Sequence, residues 1–354
     1  RYTLNLKLNK VFFIKMITVH IGLGKCASTS LQKFVFTNMV KINSNIEFNN
    51  KELLFLARKH HLLPLSIKEK SKFDKILHNG KDHLISGEDL INWDPARLEE
   101  AADLNLELFG RSANIIIVVR ESMSYFTSVY QQTIHEGNVI AASDFFVKPD
   151  VYDKVKLLSG QNNRLRFFNA KEFSLKYIYS LYTGRFDSVF FVPLSKVNDL
   201  LFLKEIYNIS DNEMKILKSK LVTASKANKS YSSLAMKLTF QREKILNALG
   251  LKSYGSWDRS LLEGLTFNGK KEYANVPFSK LLLIDKIKQL PIRIIGKFNW
   301  RHLMQEVVDE IVPYRKYKLP KGLPILQESL NKDSIFLKKI EKECDILSKI
   351  GKIK

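Results

Sequence analysis

The sequence predicts an α/β protein, a three-layer sandwich around a mostly parallel central sheet, and three observations carry that prediction. Ala113–Val119 is apolar without alternation except at Asn114, the pattern of a strand covered on both faces. The β-branched run Ile17–Ile21 stops at Gly22, and apolar residues then recur at helical spacing over Thr29–Phe36 (Leu31, Phe34, Val35). That order is strand, glycine turn, helix, which makes the fold P-loop-like. Shorter strand patterns recur further along with helical stretches between them.

In chain order, Met16 opens the first convincing element, and residues 1–15 form an N-terminal extension of uncertain structure. Lys51–Leu63 reads as a helix, Leu84–Ser86 as a short strand ending at Gly87. Pro95–Phe109 reads as a helix with Asp94 as N-cap and Pro95 at its first position. A helix through about His135 follows the strong strand, with His135 expected on its surface. Leu165–Phe168 and Ser188–Val192 are further strands, each followed by a helical pattern, and Ser232–Leu249 is an amphipathic helix. The α/β domain is thus expected over 16–249. Residues 250–354 read as a helical, basic C-terminal extension, a candidate lid or acceptor-binding region. No internal repeat is present.

With 45% hydrophobic residues in 354, a sizeable core is expected. The two cysteines, Cys26 and Cys344, lie far apart. That excludes a disulfide framework or a cysteine-rich metal site and suits a reducing, cytoplasmic setting. The net charge of +21 favours anionic partners: nucleotides, acidic glycans, nucleic acid or an anionic membrane surface. Lysines are spread along the whole chain, which argues against a dedicated nucleic-acid stripe. No apolar run approaches the ~20 residues that cross a bilayer, and nothing reads as an export signal.

The chemistry centres on His20-Ile-Gly-Leu-Gly-Lys-Cys-Ala-Ser-Thr-Ser30. Backbone N–H groups of a glycine turn and a helix start converge there, with the positive end of the helix dipole behind them. Lys25 adds a full charge; Ser28, Thr29 and Ser30 add hydroxyl donors. An anion is the natural occupant. A nucleoside-triphosphate loop, G-x-x-x-x-G-K-[ST], fits poorly. Its first glycine would be Val19, and Cys26 stands where a hydroxyl normally holds Mg²⁺.

The segment resembles the 5′-phosphosulfate loop of sulfotransferases that use 3′-phosphoadenosine 5′-phosphosulfate (PAPS): Lys25, two intervening residues, then Ser28 and Thr29. Ala27 departs from the glycine many members carry, though a small residue is kept. A second motif strengthens the resemblance. In Ile115-Ile-Ile-Val-Val-Arg-Glu-Ser-Met-Ser-Tyr-Phe-Thr-Ser128, Arg120 ends the strand and Ser128 follows eight residues later. The family places a 3′-phosphate-binding Arg and Ser at that spacing. The geometry is sound, because a planar guanidinium suits phosphate and the serine lies about two helical turns along.

The resemblance therefore implies PAPS as co-substrate and Gly22, Gly24, Lys25, Cys26, Ala27, Ser28, Thr29, Ser30, Arg120 and Ser128 as its contacts. Sulfuryl transfer needs in-line placement and charge stabilisation at the leaving oxygen. Lys25 can supply the latter, so no metal is expected. The acceptor hydroxyl benefits from a general base. Glu88 is the candidate, in Ser86-Gly-Glu-Asp-Leu90, similar to the Ser-x-Glu-x-Leu of bacterial members after their second strand; its neighbour Asp89 is the alternative.

Lys229 and Ser230, in Lys226-Ala-Asn-Lys-Ser-Tyr-Ser232, resemble a segment that folds over the nucleotide in bacterial members. His20 reads as a packed or hydrogen-bonded strand residue, and His60–His61 lack a third metal ligand. Trp257, Tyr273 and Trp300 are read as packing residues before acceptor contacts. The resemblance covers about Ile17 to Leu249 and makes a glycan or glycolipid hydroxyl the first expectation for the acceptor. The rival classes are a Mg²⁺-dependent P-loop kinase or NTPase and a non-enzymatic basic module binding nucleic acid or acidic polymer.

Overall fold

The computed structural model describes residues 16–24, 26–91, 95–135, 139–146, 168–224, 231–248, 311–320 and 333–344, with positions 300, 304, 308, 323 and 326. Five strands, β1 (Ile17–Ile21), β2 (Ile46–Phe48), β3 (Asp82–Gly87), β4 (Asn114–Val119) and β5 (Ser188–Pro193), form one sheet in the order β2-β3-β1-β4-β5. Every pairing is parallel, with Ile21 opposite Gly87 and His20 opposite Ile116. The apolar run in β4 is buried throughout from Ile115 to Val119.

Between the strands lie α1 (Ser28–Ser30), a π-helical turn (Leu31–Phe36) and α2 (Thr37–Ile42), continuous with one another, then α3 (Lys51–His60) and α4 (Ile67–Leu77). They are followed by α5 (Leu98–Phe109), α6 (Ser122–His135), α7 (Ala142–Phe145) and α8 (Leu175–Thr183). After β5 come α9 (Leu201–Tyr207), α10 (Asp211–Ala224) and α11 (Ser233–Ala248). Right-handed crossovers put left-going and right-going connections on opposite faces of the sheet. Accordingly α10 packs on the π-turn and α2, while α5 packs on α8.

Three local readings change. β2 escapes a periodicity search because three residues, Ile-Glu-Phe, hold no period; Asn49 prolongs its pairing by donating N–H to the Leu84 carbonyl at 3.0 Å. The helix expected from Pro95 begins with a 3₁₀ turn, Pro95–Arg97, and becomes α-helical at Leu98. There Arg97 grips Glu100 with two bonds of 2.6 and 2.7 Å. Asp94 lies outside the described residues. In the strand expected at 165–168, Phe168 makes an isolated parallel bridge to Phe146, and 165–167 lie outside the described residues. Within the C-terminal third, 333–344 is helical, and no helix among the described residues is long and apolar enough to cross a membrane.

Candidate functional site

From β1 the chain leaves toward β2, and from β4 toward β5, so the connections diverge between these neighbours. Such a switch point opens a crevice at the carboxyl ends of the strands. Three loops meet on it: Gly22–Ala27 after β1, Glu88 after β3, Arg120 after β4. The register Ile21↔Gly87 makes Gly22 and Glu88 neighbours across the sheet end.

The first loop is shaped by close approach. A Cβ on Gly22 would lie 2.2 Å from Ser28 Oγ and 3.4 Å from Glu88 Cγ, so only glycine fits under that hydroxyl. Ser28 Oγ is buried and has no hydrogen-bond partner among the described residues. The helix starts at Ser28 behind Ala27, which has left-handed backbone (φ 62°, ψ 10°), and no side chain caps it. The N–H groups of a first helical turn lack intrahelical partners, so this end calls for an external acceptor. Cys26, expected in the cradle, contributes neither group to it. Its N–H bonds Leu23 O at 3.2 Å and its side chain is buried in the core. Burial pushes the thiol up to about 12; the Glu88 carboxylate adds to the rise and the Arg120 guanidinium opposes it. Lys25 lies outside the described residues.

Arg120 stands half-buried at the end of β4. Its Nη2 donates to Ser124 Oγ at 2.5 Å, so the first hydroxyl it meets is Ser124, one turn nearer than the expected Ser128. Ser128 is buried on the same helix face a turn further on. The phenol of Tyr125 is pushed upward by burial and next by Cys26 and Glu88, while Arg120 pulls it down. The Cys26 thiol and the Tyr125 phenol, both kept neutral by burial, thus lie within the field of Glu88 and Arg120.

Glu88 follows a strand end held by a polar hub. Ser86 Oγ accepts from Gln32 Nε2 at 2.9 Å and lies 2.7 Å from His20 Nδ1; Ser86 N–H donates to Asn49 Oδ1 at 2.7 Å. Burial lowers the His20 ring to about 3, so it is neutral at ordinary pH. Gln32 reaches the hub from the π-turn, whose Gln32 carbonyl accepts from Thr37 N–H. Asp89 is exposed and turned outward onto Arg58 at 2.7 Å, away from the crevice that half-buried Glu88 borders.

Other expectations resolve locally. His135 is buried, 7% exposed, edge-on to Tyr231 at 4.7 Å, and not on the surface. His60 and His61 bond Glu107 and Asn105 at 3.2 and 3.0 Å. No cluster of three potential metal ligands occurs among the described residues. Trp300 packs under Arg242 and donates to Thr239. Lys229, Ser230, Trp257 and Tyr273 lie outside the described residues, but Tyr231 beside Ser230 is tied to α6, its carbonyl accepting from Gln131 at 2.6 Å. Ser124 and Gln32 were missed. Ser124 was visible four residues after Arg120, whereas Gln32 gives no sequence signal because a π-turn aims it.

No protein-family model and no curated protein matches the chain. Among solved structures it is similar to a sulfotransferase from Alicyclobacillus acidocaldarius at 13% identity and a TM-score of 0.37, over 70% of this chain and 100% of that one.

Proposed function

We propose that this protein is a PAPS-dependent sulfotransferase that acts on an acceptor hydroxyl, with glycans or glycolipids as the acceptor class. The reading rests on one observation: an uncapped helix start with an orphaned buried hydroxyl, an arginine fork and a carboxylate converge on the β1/β4 switch point. The residues fit the donor. The N–H groups from Ser28 onward, with Gly22 leaving room for the Ser28 hydroxyl, suit the 5′-phosphosulfate. Arg120, Ser124 and Ser128 suit the 3′-phosphate. Lys25 is assigned to the leaving 5′-phosphate, and Lys229 and Ser230 to the nucleotide phosphates.

In the transfer, the acceptor oxygen forms the new bond to sulfur as the sulfur–oxygen bond to the 5′-phosphate breaks. The hydroxyl proton passes to Glu88 and the electron pair leaves with the phosphate. The hub around Ser86 serves to hold the Glu88 turn at the height of Gly22. A Mg²⁺-dependent NTPase is disfavoured by Cys26, whose protonated, core-packed thiol occupies the place of the metal-binding hydroxyl.

The test is calorimetric binding of 3′,5′-bisphosphoadenosine beside ATP, with and without Mg²⁺. Metal-independent, bisphosphate-selective binding that falls roughly 100-fold in Arg120→Ala is expected, the loss of a charge-assisted phosphate contact. Equal or Mg²⁺-dependent ATP binding would overturn the reading.

A further inference from the structure

The α3–α4 hairpin carries a second surface. Phe55, Leu62, Leu63 and Ile67 are 60%, 61%, 64% and 91% exposed within a stretch of thirteen residues. They lie on α3, on the turn that follows it and at the start of α4. The helical bonding of α3 continues to Leu63, whose N–H donates to the Lys59 carbonyl at 2.7 Å, so Phe55, Lys59, Leu62 and Leu63 share one stripe. Ion pairs Lys59–Glu69, at 2.5 Å, and Lys72–Glu52 lock α3 against α4. On α3, Leu56 is buried while its neighbour Phe55 faces out. Ser66 and Glu69 close a capping box that fixes the turn into α4, with Ile67 at its tip.

Stability does not explain four large exposed apolar side chains on one hairpin, and exposed apolar patches mark interaction sites. Residues 51–81 hold eight Lys and Arg against three Asp and Glu. Lys51 lies one turn from Phe55, Lys68 is next to Ile67, and Lys75 lies two turns along from Lys68; none of the three is ion-paired with a described residue. An exposed apolar hairpin surface flanked by lysines that make no ion pair among the described residues fits an interface of acyl chains and anionic headgroups. A second copy of this chain would set like charge against like charge.

We propose that the α3–α4 hairpin docks the protein on an anionic lipid surface, Phe55, Leu62, Leu63 and Ile67 entering the headgroup layer and Lys51, Lys68 and Lys75 meeting its phosphates. The Arg58–Asp89 pair ties α3 to the residue next to Glu88 in sequence, so the hairpin is anchored beside the loop after β3. An acceptor presented from that bilayer follows if the transfer reading holds; the docking itself does not depend on it.

The experiment is flotation of the full chain with vesicles of phosphatidylcholine plus phosphatidylglycerol, and with phosphatidylcholine alone, across a salt series. Expected is flotation with the anionic vesicles, weakened by salt, and a loss of tenfold or more in Leu63→Ser/Ile67→Ser, ~tenfold being well within the transfer energy of two such side chains. Both positions are exposed, so circular dichroism and bisphosphate calorimetry on the same variant should be unchanged, which separates this proposal from the donor-site reading. Absence of flotation, flotation indifferent to the double variant, or a light-scattering dimer that the variant abolishes would overturn it.

Discussion

Two helices begin on the same rim of the sheet, and they begin in opposite ways. The helix after β1 opens behind Ala27 with no side chain over its first N–H groups. By contrast, α6, after β4, is closed by its own chain: the Glu121 carboxylate accepts from Met123 N–H and Ser124 N–H, both at 2.8 Å. The first end keeps its positive dipole available, while the second has spent it on an internal anion. Under the proposed function, a phosphate near β1 is held by backbone, and one near β4 is left to side chains, Arg120 with Ser124 and Ser128. The second start is also tied further away. Buried Asp333, on helix 333–344, accepts from Ser122 Oγ at 2.8 Å and Leu175 N–H at 3.0 Å, so the C-terminal part buttresses the arginine side.

The sharpest way to break this contrast is Gly22→Ala. The new methyl would meet Ser28 Oγ at 2.2 Å and Ser28 Cβ at 3.1 Å, forcing the hydroxyl out of its buried position. Overpacking of this kind costs about 1–3 kcal/mol. Loss of the hydroxyl and of the loop geometry should weaken bisphosphate binding ~10–100-fold, as for hydrogen bonds to a charged group. Gly22→Ala/Ser28→Ala should recover part of the stability, read by urea unfolding, without recovering the affinity. Full affinity in Gly22→Ala would remove the backbone cradle from the site.

Glu121→Ala tests the closed end. Removing a capping side chain should lower stability by about 1 kcal/mol. Bisphosphate affinity should hold or tighten, since the variant deletes a carboxylate beside Arg120 and frees two N–H groups. If affinity instead falls roughly tenfold, a change of ~1.4 kcal/mol, the cap belongs to the binding machinery and the two ends differ less than their bonding suggests.

The same contrast explains what the sequence made legible. β1, β4 and the glycine turn are strongly patterned, and their bounds are near those expected: Ile17–Ile21 coincides, and Ala113–Val119 differs by one residue. The positions of Glu88 and Arg120 were legible because each directly follows a strand, β3 and β4 respectively. Cys26 shows the limit. A motif fixes which residues line a loop, but whether a side chain faces ligand or core depends on how the turn closes, here by the Cys26–Leu23 bond. The Ser86 hub was illegible for a similar reason. It joins His20, Gln32 and Asn49 from three elements, one aimed by a π-turn and one by a positive φ of 45°. The α4 helix was within reach, since Ser66 at its N-cap and Glu69 in its first turn stand at capping-box spacing.

The smallest expected effect is also the most specific to the open end. Ala27 sits at φ 62°, where an L-residue is strained by its Cβ and glycine is not. Ala27→Gly relieves that strain but widens the unfolded ensemble, two effects of about 1 kcal/mol each that partly cancel. The balance should favour the variant by about 0.5 kcal/mol, visible as a higher urea midpoint with unchanged slope. Bisphosphate affinity should stay within about twofold, ~0.4 kcal/mol, because the N–H groups of Ser28 to Ser30 keep their directions. A lower midpoint would mean that the unliganded loop relaxes out of the left-handed turn and that the cradle forms only around its anion.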